Sequence, residues 1–187
     1  MPAGCGTWPA WWSVGPSWPR AGEIDVIEGV NVSPFDATTL HTNGGCTVSG
    51  RNASAFTGTP GVGSNGQPAE NCDVDAPGQY SNQGCSVGNT AAGGLSYGAP
   101  FNAQRGGTVA HLWDPTDGVS AWFWPRGTVP PDVAARMAPD PKAWGEPYAL
   151  FPFSAATCDG AAHFHDHQLI FDLTFCGDWA GADFASG

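Results

Sequence analysis

Positive charge is scarce in this sequence. Six Lys and Arg stand against 17 Asp and Glu, giving a formal net charge of −11. A chain this acidic is repelled by phosphate backbones and anionic lipid, which excludes nucleic acid and membrane surfaces as partners. No apolar run is long enough to span a bilayer. The opening MPAGCGTWPAWW has neither a basic n-region nor an apolar h-region, so these residues hold no signal peptide. No CxxC pair occurs, which removes zinc ribbons and dithiol redox motifs. Repeats, a linker and a long amphipathic helix are also missing. Residues 1–187 therefore read as a single domain, expected to be a monomer.

What is present points to a folded β protein. Hydrophobic residues make up 41 % of the chain, and 27 Gly and 17 Pro punctuate short apolar runs. That pattern implies many turns and an all-β fold. Nine tryptophans either build the core or offer flat faces to a ligand. Six scattered cysteines in an acidic, loop-rich chain favour disulfides and secretion, with the pairing left open. Two sequons, at Asn31 and Asn52, are compatible with secretion.

Along the chain, TWPAWWSV (7–14), the acidic run 23–29 and TTLHT (38–42) read as strands. Residues 43–100 form an unusually long Gly-, Ser- and Asn-rich loop that disulfides would need to anchor. GTVAHLW (107–113) and VSAWFWPRG (119–127) flank DPTDG as a hairpin. Residues 132–137 suit one helical turn. In 168–175, Leu169, Phe171, Leu173 and Phe175 alternate onto one strand face.

The run GEIDVIEGVN (22–31) carries three acids among β-formers. Glu23 and Asp25 share a strand face, because side chains alternate. Glu28 lies at an odd offset from Glu23, so a regular strand sends it to the opposite side. One extra residue absorbed as a β-bulge near Val26 and Ile27 restores the parity. Three carboxylates on one face would repel, and a use for that repulsion is to hold neighbouring groups in different ionisation states. Retaining glycosidases need two such carboxyls about 5–5.5 Å apart. The same pattern also fits an ordinary half-exposed strand. The surrounding tryptophans favour the catalytic reading.

With these residues in view, the sequence resembles glycoside hydrolase family 16. GEIDVIEGVN is similar to its ExDxxE signature. GCGTWPAWW, WFWPRG and LTFCGDWAG resemble further stretches of its fungal endo-β-1,3(4)-glucanase, laminarinase-like branch, in the right order from Met1 to Gly181. The resemblance implies a concanavalin A-like β-jelly-roll sandwich with a glucan-binding face. It implies Glu23 as nucleophile, Asp25 as assisting acid and Glu28 as general acid/base. It also implies that His41 lies near the acid/base, and that Trp12, Trp18 and Trp179 line the sugar groove. Trp8 and Trp11 are assigned to the core instead, with one of Trp113, Trp122 and Trp124. In HFHDH (163–167), three histidines would share a strand face and suggest a metal site. The family chemistry needs no metal, and no cofactor is expected.

The resemblance starts in the middle of the family domain. The strands that precede GCGTWP in the family have no counterpart, so the jelly roll is expected to be incomplete at its N-terminus, with apolar faces exposed. The longer protein would be extracellular. The expected function is hydrolysis of β-1,3 and mixed β-1,3/1,4 glucans by double displacement, with the glucan polysaccharide as partner. The rivals are a transglycosylase, a β-glucan-binding module without turnover, and an inactive fragment.

Overall fold

The structure, a computed structural model, describes residues 1–91 and 95–186. Its strands are β1 (Thr7–Val14), β2 (Glu23–Glu28), β3 (Ala37–His41), β4 (Thr59–Pro60), β5 (Cys85–Gly88), β6 (Gly107–Asp114), β7 (Gly118–Pro125), β8 (Ala149–Pro152) and β9 (Gln168–Phe175). Four helices occupy the connections and the end of the chain: α1 (Gly98–Ala103), α2 (Pro131–Ala135), α3 (Gly160–His163) and α4 (Gly177–Ser186). Six strands form one antiparallel sheet in the order β4-β5-β3-β2-β1-β9, and β6-β7-β8 form a second. β9 returns across the whole molecule to pair with β1.

Alternation decides what lies between the sheets. Ile24 and Val26 of β2, Leu40 of β3 and Val87 of β5 meet Val119 and Ala121 of β7 and Ala149 and Phe151 of β8 in one apolar core. Ile27 packs against the same core beside Val26. Two consecutive residues therefore point inward, where a regular strand allows one. The turn into β2 needs Gly22, whose φ is +76° and whose missing Cβ would lie 2.4 Å from the His163 carbonyl.

The long connection between β3 and α1 is tied down as expected. Cys72–Cys85 closes it locally, and Cys46–Cys158 joins it to the segment before α3 across 112 positions. It also contributes β5, which pairs with β3, and β4, which pairs with β5. Cys5 and Cys176 remain exposed thiols, so the six cysteines are not all paired.

Two further expectations are corrected. The histidines of 163–167 do not share a strand face, because His163 ends α3 and β9 starts only at Gln168. His167 bridges the Ala21 carbonyl and Ser13 Oγ, while His165 pairs with Asp166. The Asn31 sequon is buried, with its amide engaged by Gly6 N–H and the Ala180 carbonyl. Residues 177–181 open α4. Of Trp113, Trp122 and Trp124, Trp113 packs against the core as expected, while Trp122 is buried on the far side of the small sheet, edge-on to Trp144.

The inner face of β9 is open. Leu169, Phe171 and Phe175 are 71 %, 74 % and 70 % exposed. This matches the expected uncovered apolar face. No helix among the described residues is long and apolar enough to cross a membrane.

Candidate active site

The outer face of the six-stranded sheet collects the acids. Between β2 and β3, Glu23 faces His41, Asp25 faces Thr39 and Glu28 faces Ala37. From Asp25 to Glu28 the chain advances three residues, while β3 advances two. β1 shows the same count, with Trp12 opposite Asp25 and Ala10 opposite Glu28. Both ladders thus register one extra residue in β2, the bulge expected from parity. Residues opposite one another in a ladder share a face. Glu23, Asp25 and Glu28 therefore point the same way, together with Trp8, Trp12 and His41.

Each acid is held by the strands beside it. Trp8 Nε1 donates to Glu28 Oε1 at 2.9 Å. The Trp18 side chain lies against Glu23 and favours its ionised form. His41 Nε2 lies 3.2 Å from Asp25 Oδ2 and 4.0 Å from Glu23 Oε1. The register sets His41 opposite Glu23 and against Asp25, and its charge also acts on Glu28, the acid/base it was expected to lie near. At 3.2 Å the imidazole and Asp25 couple electrostatically but are not aligned as a hydrogen bond, and Asp25 Oδ2 has no hydrogen-bond partner.

The tryptophans divide by parity. Trp12 shares the acids' face and donates to Asp172 Oδ1 at 3.3 Å. Trp18 is 48 % exposed beside Glu23. Trp179 of α4 is 44 % exposed and meets Trp8 edge-on at 5.6 Å. Trp11 packs inward and stacks on Phe171, as a core residue should. Trp8 is the residue misassigned from sequence. Its place four residues from Trp12 on one strand already put it on the outer face.

Burial governs the protonation of all three acids. Glu23 is raised to about 7, mainly by desolvation and then by the Asp25 charge, with His41 and the Trp18 bond pulling it down. Desolvation raises Asp25 to about 8. Glu28 also rises to about 8, through desolvation and the Asp25 charge, against His41 and the Trp8 bond. All three acids are thus held toward their protonated forms. His41 is pushed below its ordinary value by burial, against the Glu23 and Glu28 charges that favour its protonated form. Among the described residues, Glu23, Asp25 and His41 are the one set of metal-ligand types whose donor atoms fall within 4.8 Å of one another. Two of its members are acids that burial drives toward their neutral forms, which suits proton handling better than cation binding.

The chain resembles known proteins over almost its full length. It is 43 % identical over 182 residues to a probable glycosidase of Schizosaccharomyces pombe, covering 97 % of this chain and 40 % of that protein. It is also 43 % identical to an endo-1,3(4)-β-glucanase of Arthroderma benhamiae, covering 96 % and 36 %. The chain thus spans well under half the length of these curated relatives. Among solved structures it superposes with a TM-score of 0.84 on laminarinase 16A from Phanerochaete chrysosporium, which holds two β-glucans in donor and acceptor sites. The identity there is 41 %, covering 100 % of this chain and 59 % of that one. An elongating β-1,3-glucosyltransferase matches at a TM-score of 0.78 and 38 % identity, covering 97 % and 54 %. The likeness confirms the jelly-roll expectation. A family model described as the XgeA-like catalytic GH16 domain matches residues 1–187, and the chain belongs to glycoside hydrolase family 16.

Proposed function

We propose that the protein is a retaining endo-β-glucanase acting on β-1,3 and mixed β-1,3/1,4 glucans. One observation carries this reading: the bulge in β2 brings Glu23 and Glu28 onto one face with Asp25 between them. Glu23, ionised, attacks the anomeric carbon, and Glu28, protonated, gives its proton to the leaving oxygen. The covalent glycosyl-enzyme on Glu23 is then opened by water that Glu28 deprotonates. The Asp25 charge raises both neighbours, so its protonation state sets the affinity of each. Trp12, Trp18 and Trp179 offer indole faces to the apolar C–H faces of glucose rings, and Trp8 joins them.

Laminarin and barley glucan are the discriminating substrates. Reducing-sugar release is expected from both. Glu23→Gln and Glu28→Gln should lower it by about 1,000-fold or more, while glucan binding persists. A glucan-binding module would show no release and no effect of either variant. A sugar hydroxyl in place of water would make the same site a transglycosylase. The likeness to an elongating glucosyltransferase supports that second reading. Two buried disulfides support an extracellular setting. We further propose that residues 1–187 act as one domain of a monomer.

A further inference from the structure

A bulge leaves backbone groups that the ladder no longer pairs, and buried carbonyls need donors. In β2 the unpaired step lies between Asp25 and Glu28, so β3 offers no partner there. The Val26 carbonyl is met from below by two hydroxyls, Thr38 Oγ1 and Tyr148 Oη, each at 3.4 Å. These hydroxyls lie 2.6 Å from one another. Asp36 Oδ2, 3.1 Å from Tyr148 Oη, is the alternative acceptor for the single phenol proton. Asp36 and Thr38 are both fully buried, and the Asp36 N–H is pinned by Ser96 Oγ. This is a polar chain inside an apolar core, reaching the bulge.

The other end of the bulge has a second support. Tyr97, 1 % exposed, reaches the Gly29 carbonyl at 2.5 Å and the Pro9 carbonyl at 2.7 Å. Position 29 must be glycine for the ring to come this close, since a Cβ there would lie 2.9 Å from Tyr97 Cε1. Glu28 is therefore flanked by two carbonyls, each held by a buried phenol from outside the strand. Glu23 and Asp25 lie in regular ladder and have no such support.

We propose that Tyr148, backed by Thr38 and Asp36, and Tyr97 are positioning residues for Glu28: they fix the bulge so that its carboxyl meets the leaving oxygen. This rests on the reading of Glu28 as the acid/base. It predicts a selective defect. A sugar leaving group needs the proton from Glu28, whereas a dinitrophenolate leaves without one.

The test compares laminarin with a 2,4-dinitrophenyl β-laminaribioside in the full-length protein. Tyr148→Phe and Tyr97→Phe should each lower kcat/KM on laminarin by about 10- to 100-fold. On the aryl substrate kcat/KM should change by no more than about threefold, since its glycosylation step needs no acid. Thr38→Val should show the same selectivity, and Thr38→Ser should restore both rates. If Tyr148→Phe does not fold, Tyr97→Phe and the Thr38 pair carry the test. Equal losses on both substrates, or no loss on laminarin, would overturn the proposal. A wild-type protein that cuts neither substrate would instead overturn the glycosidase reading itself.

Discussion

Asp25 is 2 % exposed and sits between two other acids, so folding has to desolvate a carboxyl beside like charges. Its pKa rises from 3.8 to about 8, and those of Glu23 and Glu28 from 4.5 to about 7 and 8. The folded state then binds more protons than the unfolded one between about pH 4.5 and 8, and stability falls as pH rises through that window. His41 and His111 act in the opposite sense below pH 6.5, because burial lowers both. Above that value the acids act alone. Asp25→Asn should therefore stabilise the protein by roughly 1–3 kcal/mol at pH 8 and by little at pH 4, measured by thermal melts. Trp8→Phe removes a bond that lowers Glu28. The basic limb of the activity profile should then move to higher pH, as a pH series of kcat/KM would show. The three acids were legible because their chemistry is peculiar to few sites. His41 was legible near the acid/base, but its contact with Asp25 was not, since register is a tertiary property. Trp8 was missed because an indole reads the same way in a core and in a cleft.

The bulge is the element-scale device. Parity alone required it, because Glu23 and Glu28 differ by an odd offset and must share a face to act together. β1 and the β6–β7 hairpin were legible for a similar reason: alternation and turn residues mark them locally. β4, β5 and β8 were not, being strands of two to four residues that exist only because a neighbour pairs with them. α4 was hidden too. GDWAGADFAS has no strong apolar period, and its anchoring comes from outside, through Asn31 to the Ala180 carbonyl. The Cys46–Cys158 crosslink holds the long connection against the segment before α3. Closing so large a loop stabilises by about 3–5 kcal/mol in the chain-entropy picture. Cys46→Ser should cost that order in a denaturant titration, with the Cys72–Cys85 bond left intact.

At the scale of the molecule, the two sheets are unequal. Three strands back six, and the inner face of β9 is left bare, with Phe171 at 74 % exposure. The laminarinase match covers 59 % of that longer chain. Prepared by itself, the 187-residue chain should bind an apolar dye at this face, and Leu169→Lys with Phe171→Lys should reduce that fluorescence without altering the site. The acids lie on the opposite face of the same sheet, where β2 is flanked by β1 and β3 on both sides. Their geometry is therefore built by strands this chain contains. Peptide mapping of the glycosyl-enzyme trapped with a 2-deoxy-2-fluoro β-laminaribiosyl dinitrophenolate tests their assignment most directly. The sugar should be found on Glu23. A label on Glu28 or any other carboxylate would contradict the roles given to the two sides of the bulge.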